Sequence, residues 1–113
     1  MEKYKKSVNM TYFTKKKIID IEESLDKIVY LEVDSPLNYG MKTWDYYGRI
    51  TKITKCYFEI IEYCDGNIDH WDTEYIKKRE KTKLTKKWAK KSIQKLYEVT
   101  TTEKNEEVEY YKN

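Results

Sequence analysis

The chain has 113 residues, of which 38% are charged and 39% hydrophobic, and its net charge is +3. This length suits one domain, and an aromatic fraction of 15% excludes global disorder, because disordered chains are poor in aromatic residues. No apolar run approaches the ~20 residues of a membrane-spanning helix, and the basic N-terminal segment lacks the apolar stretch of a secretion signal. We therefore expect a cytoplasmic protein, located in the host cytoplasm if its source is a virus.

The basic residues are 21 lysines and two arginines. Lys, Ile, Tyr and Asn have AT-rich codons, so their abundance indicates a low-GC genome. Cys56 and Cys64 flank one predicted strand, which would hold their Cα atoms beyond the ~7 Å limit of a disulfide. Two cysteines and a single histidine are also too few for a structural zinc site. We expect two reduced cysteines, no metal and no cofactor.

Charge is distributed in alternating segments. The net charge is +5 over residues 1–17, −7 over 18–73, +8 over 74–97 and −3 over 98–113. An acidic middle followed by a strongly basic segment predicts a polarised surface.

The predicted organisation is an N-terminal extension over 1–13, a single globular domain over 14–99 and a flexible acidic tail over 100–113. A short helix is predicted from about Asp20, because Asp20 and Glu23 have the spacing of a capping box.

Alternation of apolar and polar residues predicts four strands, at 28–34, 44–54, 56–63 and 67–72. The nine-residue segment 35–43 between the first two contains the only proline and predicts a long loop, where functional residues are often found. Gly48 predicts a bulge or sharp bend in the second strand. Asp65 and Gly66 predict a tight hairpin turn.

After a short turn at 73–75, the pattern predicts a fifth strand over 76–81 and a helix from Thr85 to Glu98. One face of that helix would be apolar and the other almost wholly lysine. The predicted fold class is therefore α+β: a small antiparallel β-barrel or strongly bent sheet of four or five strands, with a short N-terminal helix and a basic amphipathic C-terminal helix.

The stretch YYGRITKITKCYFEIIEYCDGNIDHWDTEYIKKRE resembles small, strongly bent β-barrels of the Src-homology or Sm-like type, over about residues 20–81. In such barrels a bent second strand with a glycine leads into a hairpin, and a final short strand closes the ring. The Asp-x-x-x-Asn turn of Sm proteins is missing here, so the resemblance implies a fold and transfers no uridine-binding residue.

Basic and aromatic side chains supply the predicted binding site. Ten positive charges between residues 77 and 95 would attract phosphates, and aromatic side chains on strands can stack on bases. The predicted nucleic-acid-binding or partner-binding residues are Lys77, Lys78, Arg79, Lys86, Lys87, Lys90, Lys91, Lys95, Tyr46, Tyr47, Arg49, Tyr57 and Trp71. The alternative is that the lysines form a solvated face and the tyrosines fill the core.

The acidic segment 65–74 could hold a hard cation, but its spacing does not match a calcium-binding loop. His70 has no oriented carboxylate partner and no paired nucleophile, so it does not predict general-base catalysis. Three scattered glycines cannot form a phosphate-binding loop. We therefore predict no catalytic residues, no metal site and no enzymatic activity.

The sequence predicts a non-enzymatic binding module that recognises nucleic acid through its basic helix and aromatic sheet face. One alternative is an inhibitor or adaptor from a phage or mobile element, which binds a host nuclease or, like an anti-CRISPR protein, a defence complex. A further alternative is a small-ligand-binding or nucleotide-binding protein that uses loop 35–43. Edge strands and surplus aromatic residues also predict a homodimer.

Overall fold

The computed structural model describes residues 2–34 and 43–112. Within these ranges, seven antiparallel strands form one open sheet in the spatial order β5-β1-β7-β2-β3-β4-β6. The strands are β1 (Glu2–Ile18), β2 (Ile28–Asp34), β3 (Thr43–Ile53), β4 (Tyr57–Asp65), β5 (His70–Asp72), β6 (Lys86–Ala89) and β7 (Ile93–Lys112). The helix α1 spans Thr73–Thr82, and two 3-10 helices span Ile21–Glu23 and Lys90–Ser92.

Strands β2, β3 and β4 are apolar on both faces of the sheet. Successive side chains of a strand point to opposite faces, so Val29 and Leu31 enter one core while Tyr30 enters the other. The first core contains Ile19, Val29, Leu31, Val33, Tyr46, Ile50, Phe58, Ile60 and Leu96. The second core contains Phe13, Tyr30, Tyr47, Ile61, Tyr63, Cys64, Ile76 and Val99.

Each core has its own cover. Helix α1 buries Ile76 in the second core. Trp88 of β6 and Ile21 of the first 3-10 helix pack against the first core. The indole N–H of Trp88 donates a hydrogen bond to the hydroxyl of buried Tyr46. The centre of the sheet is therefore a middle layer, protected on both sides.

Gly48 permits the close approach of β3 and β4. A Cβ atom at Gly48 would lie 2.1 Å from the carbonyl oxygen of Ile61, far inside van der Waals contact. The β3–β4 register shifts between Tyr47 and Gly48 and again between Ile50 and Lys52. The predicted bulge is confirmed. The strand prediction over 28–34 is also confirmed, and those for β3 and β4 agree to within one or two residues.

The predicted fold class is wrong, because the described residues form an open sheet of seven strands and residues 85–98 are not a helix. Residues 85–98 contain β6, the second 3-10 helix and the start of β7. Pairing with β4 decides this local structure, since Trp88 lies opposite Phe58. The apolar residues of segment 85–98 are divided between the two cores, so they do not form one helical face.

The α-helix instead occupies Thr73–Thr82, where a turn and a fifth strand were predicted. Asp72 is its N-cap: the carboxylate accepts the backbone N–H groups of Glu74 at 2.8 Å and Tyr75 at 3.4 Å. The helix ends at Thr82 and is capped by Lys83, which has a left-handed backbone with φ of 53°.

Both chain ends also differ from the prediction. Residues 2–13, expected as an extension, and 100–112, expected as a flexible tail, pair along β1 and β7 from Glu2–Lys112 to Ile18–Tyr97. The helix predicted from Asp20 is a short 3-10 turn, and the Asp20 side chain makes no capping hydrogen bond.

Most of the predicted loop 35–43 falls at residues 35–42, which lie outside the described residues.

Candidate nucleic-acid interface

The predicted site residues lie on several elements of the sheet and not on one face. Lys77, Lys78 and Arg79 lie on α1, Lys86 and Lys87 on β6, Lys90 and Lys91 on the second 3-10 helix, Lys95 on β7, Tyr46, Tyr47 and Arg49 on β3, Tyr57 on β4 and Trp71 on β5. The structure brings together only some of them.

The two β3 tyrosines are core residues. Tyr46 is 1% exposed in the first core and Tyr47 is 3% exposed in the second, so neither ring can stack on a base. Burial raises the pKa of both hydroxyls above the ordinary value of 10.0. Tyr46 and Tyr47 therefore fill the core, as the alternative interpretation of the tyrosines predicts.

Both arginines make hydrogen bonds inside the fold. The guanidinium of Arg49 donates to Glu80 at 2.7 Å and to the carbonyl of Asp26 at 2.6 Å. Arg79 donates to the carbonyl of Glu62 at 2.9 Å. The bonds of Arg49 to Glu80 and of Arg79 to Glu62 join α1 to the sheet, so both guanidinium groups have a role in holding the fold together.

Several lysines of the predicted site have acidic partners. Lys86 lies 2.7 Å from Glu62, and the pairs Lys77–Glu74 and Lys95–Glu32 are separated by 3.7 and 3.8 Å. Lys90 also contacts the carboxylate of Glu22. A phosphate would compete with a carboxylate at each of these ammonium groups.

Lys55 joins Lys90 and Lys91 of the predicted site at the corner where β6 meets the β3–β4 turn. The backbone N–H of Lys90 donates to the carbonyl of Cys56 at 2.9 Å, which fixes the second 3-10 helix beside that turn. One shallow open pocket of about 390 Å³ at this corner is lined by Lys55, Cys56, Ala89, Lys90 and Lys91.

Tyr57 adds an aromatic ring to this corner. The ring is half-buried, and the ammonium of Lys87 lies 3.7 Å from its centroid, in cation–π contact. We call Lys55, Tyr57, Lys87, Lys90 and Lys91 the β6-edge patch.

Three lysines of this patch are exposed and free of ion pairs. Among the described residues, no carboxylate lies within 4.0 Å of the Lys55, Lys87 or Lys91 ammonium group. The sequence analysis did not include Lys55 among the predicted site residues. Its position between the second and third predicted strands was the available signal, because it places Lys55 in a turn at the end of the sheet.

The acidic segment makes local structural contacts. Asp65 accepts the backbone N–H of Asn67 at 2.9 Å, and Asp69 contacts the His70 imidazole at 2.8 Å, which lowers the pKa of Asp69. Asp72 caps α1. In the described part of the chain, no three Asp, Glu, His or Cys side chains are grouped so that they could hold a metal ion.

Comparison with known proteins gives no family model, no curated protein and no solved structure that matches this chain. The resemblance to Src-homology and Sm-like barrels therefore stays a prediction.

Across residues 2–34 and 43–112, no helix has the length and apolar character needed to cross a membrane.

Proposed function

We propose that this protein is a non-enzymatic nucleic-acid-binding protein and that the β6-edge patch contacts the ligand. The proposal is carried by exposed lysines without ion pairs at one corner: Lys55 and Lys91 line the pocket there, and Lys87 lies over the ring of Tyr57, which is directly opposite the pocket residue Ala89. Lysines without carboxylate partners can neutralise phosphates and release counterions without first breaking an ion pair.

Tyr57 favours a single-stranded ligand. When Lys87 moves from the ring to a phosphate, the exposed part of the ring becomes available to an unpaired base. Base–aromatic stacking contributes about 1–3 kcal/mol per base. We therefore expect single-stranded oligonucleotides to bind more tightly than duplexes of the same length.

The same lysines have a second physical role, because β6 is an edge strand of the sheet. Lysines on an edge strand discourage pairing with the edge of another molecule. A purely protective role predicts no affinity for oligonucleotides, so a binding measurement separates the two roles.

The test is fluorescence anisotropy of labelled single-stranded and double-stranded DNA and RNA at about 50 and 200 mM salt. If four lysines contact phosphates, the affinity for single strands should fall roughly 50-fold between these concentrations. The triple variant Lys55→Glu, Lys87→Glu, Lys91→Glu should abolish binding.

The matched control is Lys16→Glu, Lys81→Glu, Lys83→Glu, which makes the same charge change on β1 and on and beside α1. This control should retain most of the affinity. Equal losses in both triple variants would assign binding to net charge and not to the β6-edge patch. No binding at the lower salt concentration would refute the proposed function.

A second candidate function is an inhibitor or adaptor that binds a nucleic-acid-handling protein, such as a nuclease or defence complex of a host. Exposed Trp44, Tyr75 and Leu84 favour it, because Trp and Tyr are enriched at protein interfaces. A salt-resistant complex with one protein, together with no affinity for oligonucleotides, would support this candidate. This second candidate function includes a phage or another mobile element as the source of the protein.

A cytoplasmic location is also part of the proposal. It is supported by two free cysteines, of which Cys56 is exposed and Cys64 buried, since an exposed thiol persists best in a reducing compartment.

A further inference from the structure

The outer parts of β1 and β7 form a two-stranded ribbon without a third strand among the described elements. Residues 2–9 pair with 105–112. Strand β5 adjoins β1 only from Met10 to Tyr12, and β2 adjoins β7 only from Ile93 to Glu98. We call residues 2–9 and 105–112 the terminal ribbon. A two-stranded ribbon alone is at best marginally stable in water.

One face of the terminal ribbon is polar and satisfied by its own contacts. Lys3 pairs with Glu109 at 3.2 Å and Lys5 with Glu107 at 3.9 Å. On the same face, the Ser7 hydroxyl donates to the Asn105 side chain at 2.7 Å. The polar side chains of this face therefore have partners within the ribbon, and the face can remain exposed to solvent.

The opposite face carries a row of apolar and aromatic side chains, interleaved with charged ones. Residues that lie directly opposite each other in an antiparallel pair share a face, so Tyr4 and Tyr110 lie together and their rings stack with centroids 5.5 Å apart. This side of the ribbon, with its continuation into β1, carries Tyr4, Val8, Met10, Tyr12, Val108 and Tyr110, which we call the Tyr face. None of its side chains belongs to either core.

Exposure is greatest at the outer end of the Tyr face. Tyr4 is 48% exposed and Tyr110 is 37% exposed. Towards the sheet, the Tyr12 ring stacks on His70 at 5.1 Å, and its hydroxyl donates to Glu106. Apolar side chains therefore run along the Tyr face from the body of the protein outwards, interleaved with Lys6, Lys104 and Glu106.

The ribbon's charge decides which occupant suits this strip. Residues 2–9 and 105–112 contain four lysines and four glutamates, so the ribbon offers no net positive charge to a phosphate backbone or an anionic lipid surface. On the Tyr face itself, Lys6 and Lys104 alternate with Glu106 beside the apolar residues. The Tyr face of a second copy has apolar area to cover this strip and charges of both signs to pair with Lys6, Lys104 and Glu106.

We propose that the Tyr face packs against the Tyr face of a second copy, forming a symmetric dimer. The two ribbons would become a two-layer structure in which each apolar strip covers the other. The strip from the pair Tyr4–Tyr110 to the pair Tyr12–Thr102 spans nine residue pairs. It is about 30 Å long and 10 Å wide, which is small for a protein interface. The dimer is therefore weak and concentration-dependent.

The test is sedimentation equilibrium of the full chain from about 1 µM to 1 mM. The apparent mass should rise from 13.9 kDa towards twice that value. The double variant Tyr4→Ser, Tyr110→Ser should weaken dimerisation at least tenfold. The matched control is Tyr111→Ser, because Tyr111 is an exposed tyrosine on the opposite face of the same ribbon and should not change the mass.

A second pair of variants keeps the test valid if the ribbon frays without its tyrosines. Met10 pairs with both β5 and β7, so Met10→Lys keeps the ladder while placing a charge on the Tyr face. Asn9→Lys places the same charge on the polar face and should leave the dimer intact.

A wild-type chain that stays monomeric at the highest concentration would overturn the proposal, as would a dimer that only the polar-face variants disrupt. Binding of oligonucleotides by the β6-edge patch would be unaffected by either result, so the two proposals fail separately.

Discussion

The central body and the terminal ribbon are parts of the same sheet, but different interactions hold them together. In the body, β2, β3 and β4 are covered on both faces, and Val29, Leu31 and Phe58 are fully buried. In the ribbon, β1 and β7 pair only with each other among the described strands. One face of the ribbon carries surface ion pairs, and no other described element packs on the opposite face. Backbone pairing alone therefore says little about local stability; the number of covering layers decides it.

Truncation of a core side chain should separate the two regions most clearly. Phe58→Ala removes a fully buried ring and should cost about 3–5 kcal/mol of unfolding free energy, because the cavity cannot collapse between two packed layers. Val108→Ala in the ribbon should cost below ~1 kcal/mol. Urea unfolding at low protein concentration measures both values, and similar losses would contradict the comparison.

Alkaline pH should destabilise the body. Burial raises the pKa of Cys64 to about 12, and burial with hydrogen bonds to carboxylates raises the pKa values of Tyr30 and Tyr63 above 10.0. The unfolded chain loses these protons at lower pH than the folded chain. Above about pH 9 it therefore binds fewer protons, and stability falls as the pH rises towards 12.

Each fully protected group contributes a loss of about 1.4 kcal/mol per pH unit between its unfolded and folded pKa values. The measurement is the urea midpoint at pH 8, 9, 10 and 11 at constant ionic strength. Val108→Ala should show the same pH dependence as the wild type, because the titrating groups lie in the body. A flat profile would show that these side chains are solvated.

The cap of α1 should have an intermediate effect. Asp72→Ala removes the acceptor for two helix N–H groups and should cost about 1 kcal/mol, whereas Asp72→Asn should keep most of the stability. Thermal unfolding by circular dichroism measures the difference. Equal losses in both variants would mean that the carboxylate charge, and not the hydrogen bonds, stabilises the helix.

The ion pairs of the ribbon should have the smallest effect. Lys5→Ala should change the unfolding free energy by at most about 0.5 kcal/mol, because Lys5 and Glu107 are both largely exposed at 3.9 Å. Glu107→Ala and the double variant Lys5→Ala, Glu107→Ala complete a mutant cycle that isolates the energy of the pair. A coupling energy above ~1 kcal/mol would show that the polar face holds the ribbon together.

The sequence by itself determined the centre of the sheet. Strand β2, the bend at Gly48 and the approximate bounds of β3 and β4 follow from alternation and glycine, which are local signals. The hairpin predicted at Asp65 and Gly66 is wrong, because the following strand β5 pairs with β1 and not with β4. The sequence did not determine α1, although Asp72 before Thr73–Thr82 is an N-cap signal. Ile76 is the only buried apolar residue of this helix, so the segment has no apolar stripe from which a helix could be predicted.

Long-range contacts decided the remainder. Residues 85–98 have a helix-like apolar stripe, but Trp88 pairs against Phe58 and the following residues join a strand. The β-branched run Thr100–Thr102 was a local hint of strand structure. Its pairing with β1 nevertheless joins segments about 90 residues apart, and no local pattern encodes such a partner.

The candidate site shows the same division. Lysine abundance and position were readable from the sequence, as was a polarised charge pattern. Which lysines pair with carboxylates, which tyrosines are buried and which corner gathers Lys55, Tyr57 and Lys87 depended on the tertiary structure. The physical reason is that charge and hydrophobicity are properties of residues, whereas burial and proximity are properties of the packed sheet.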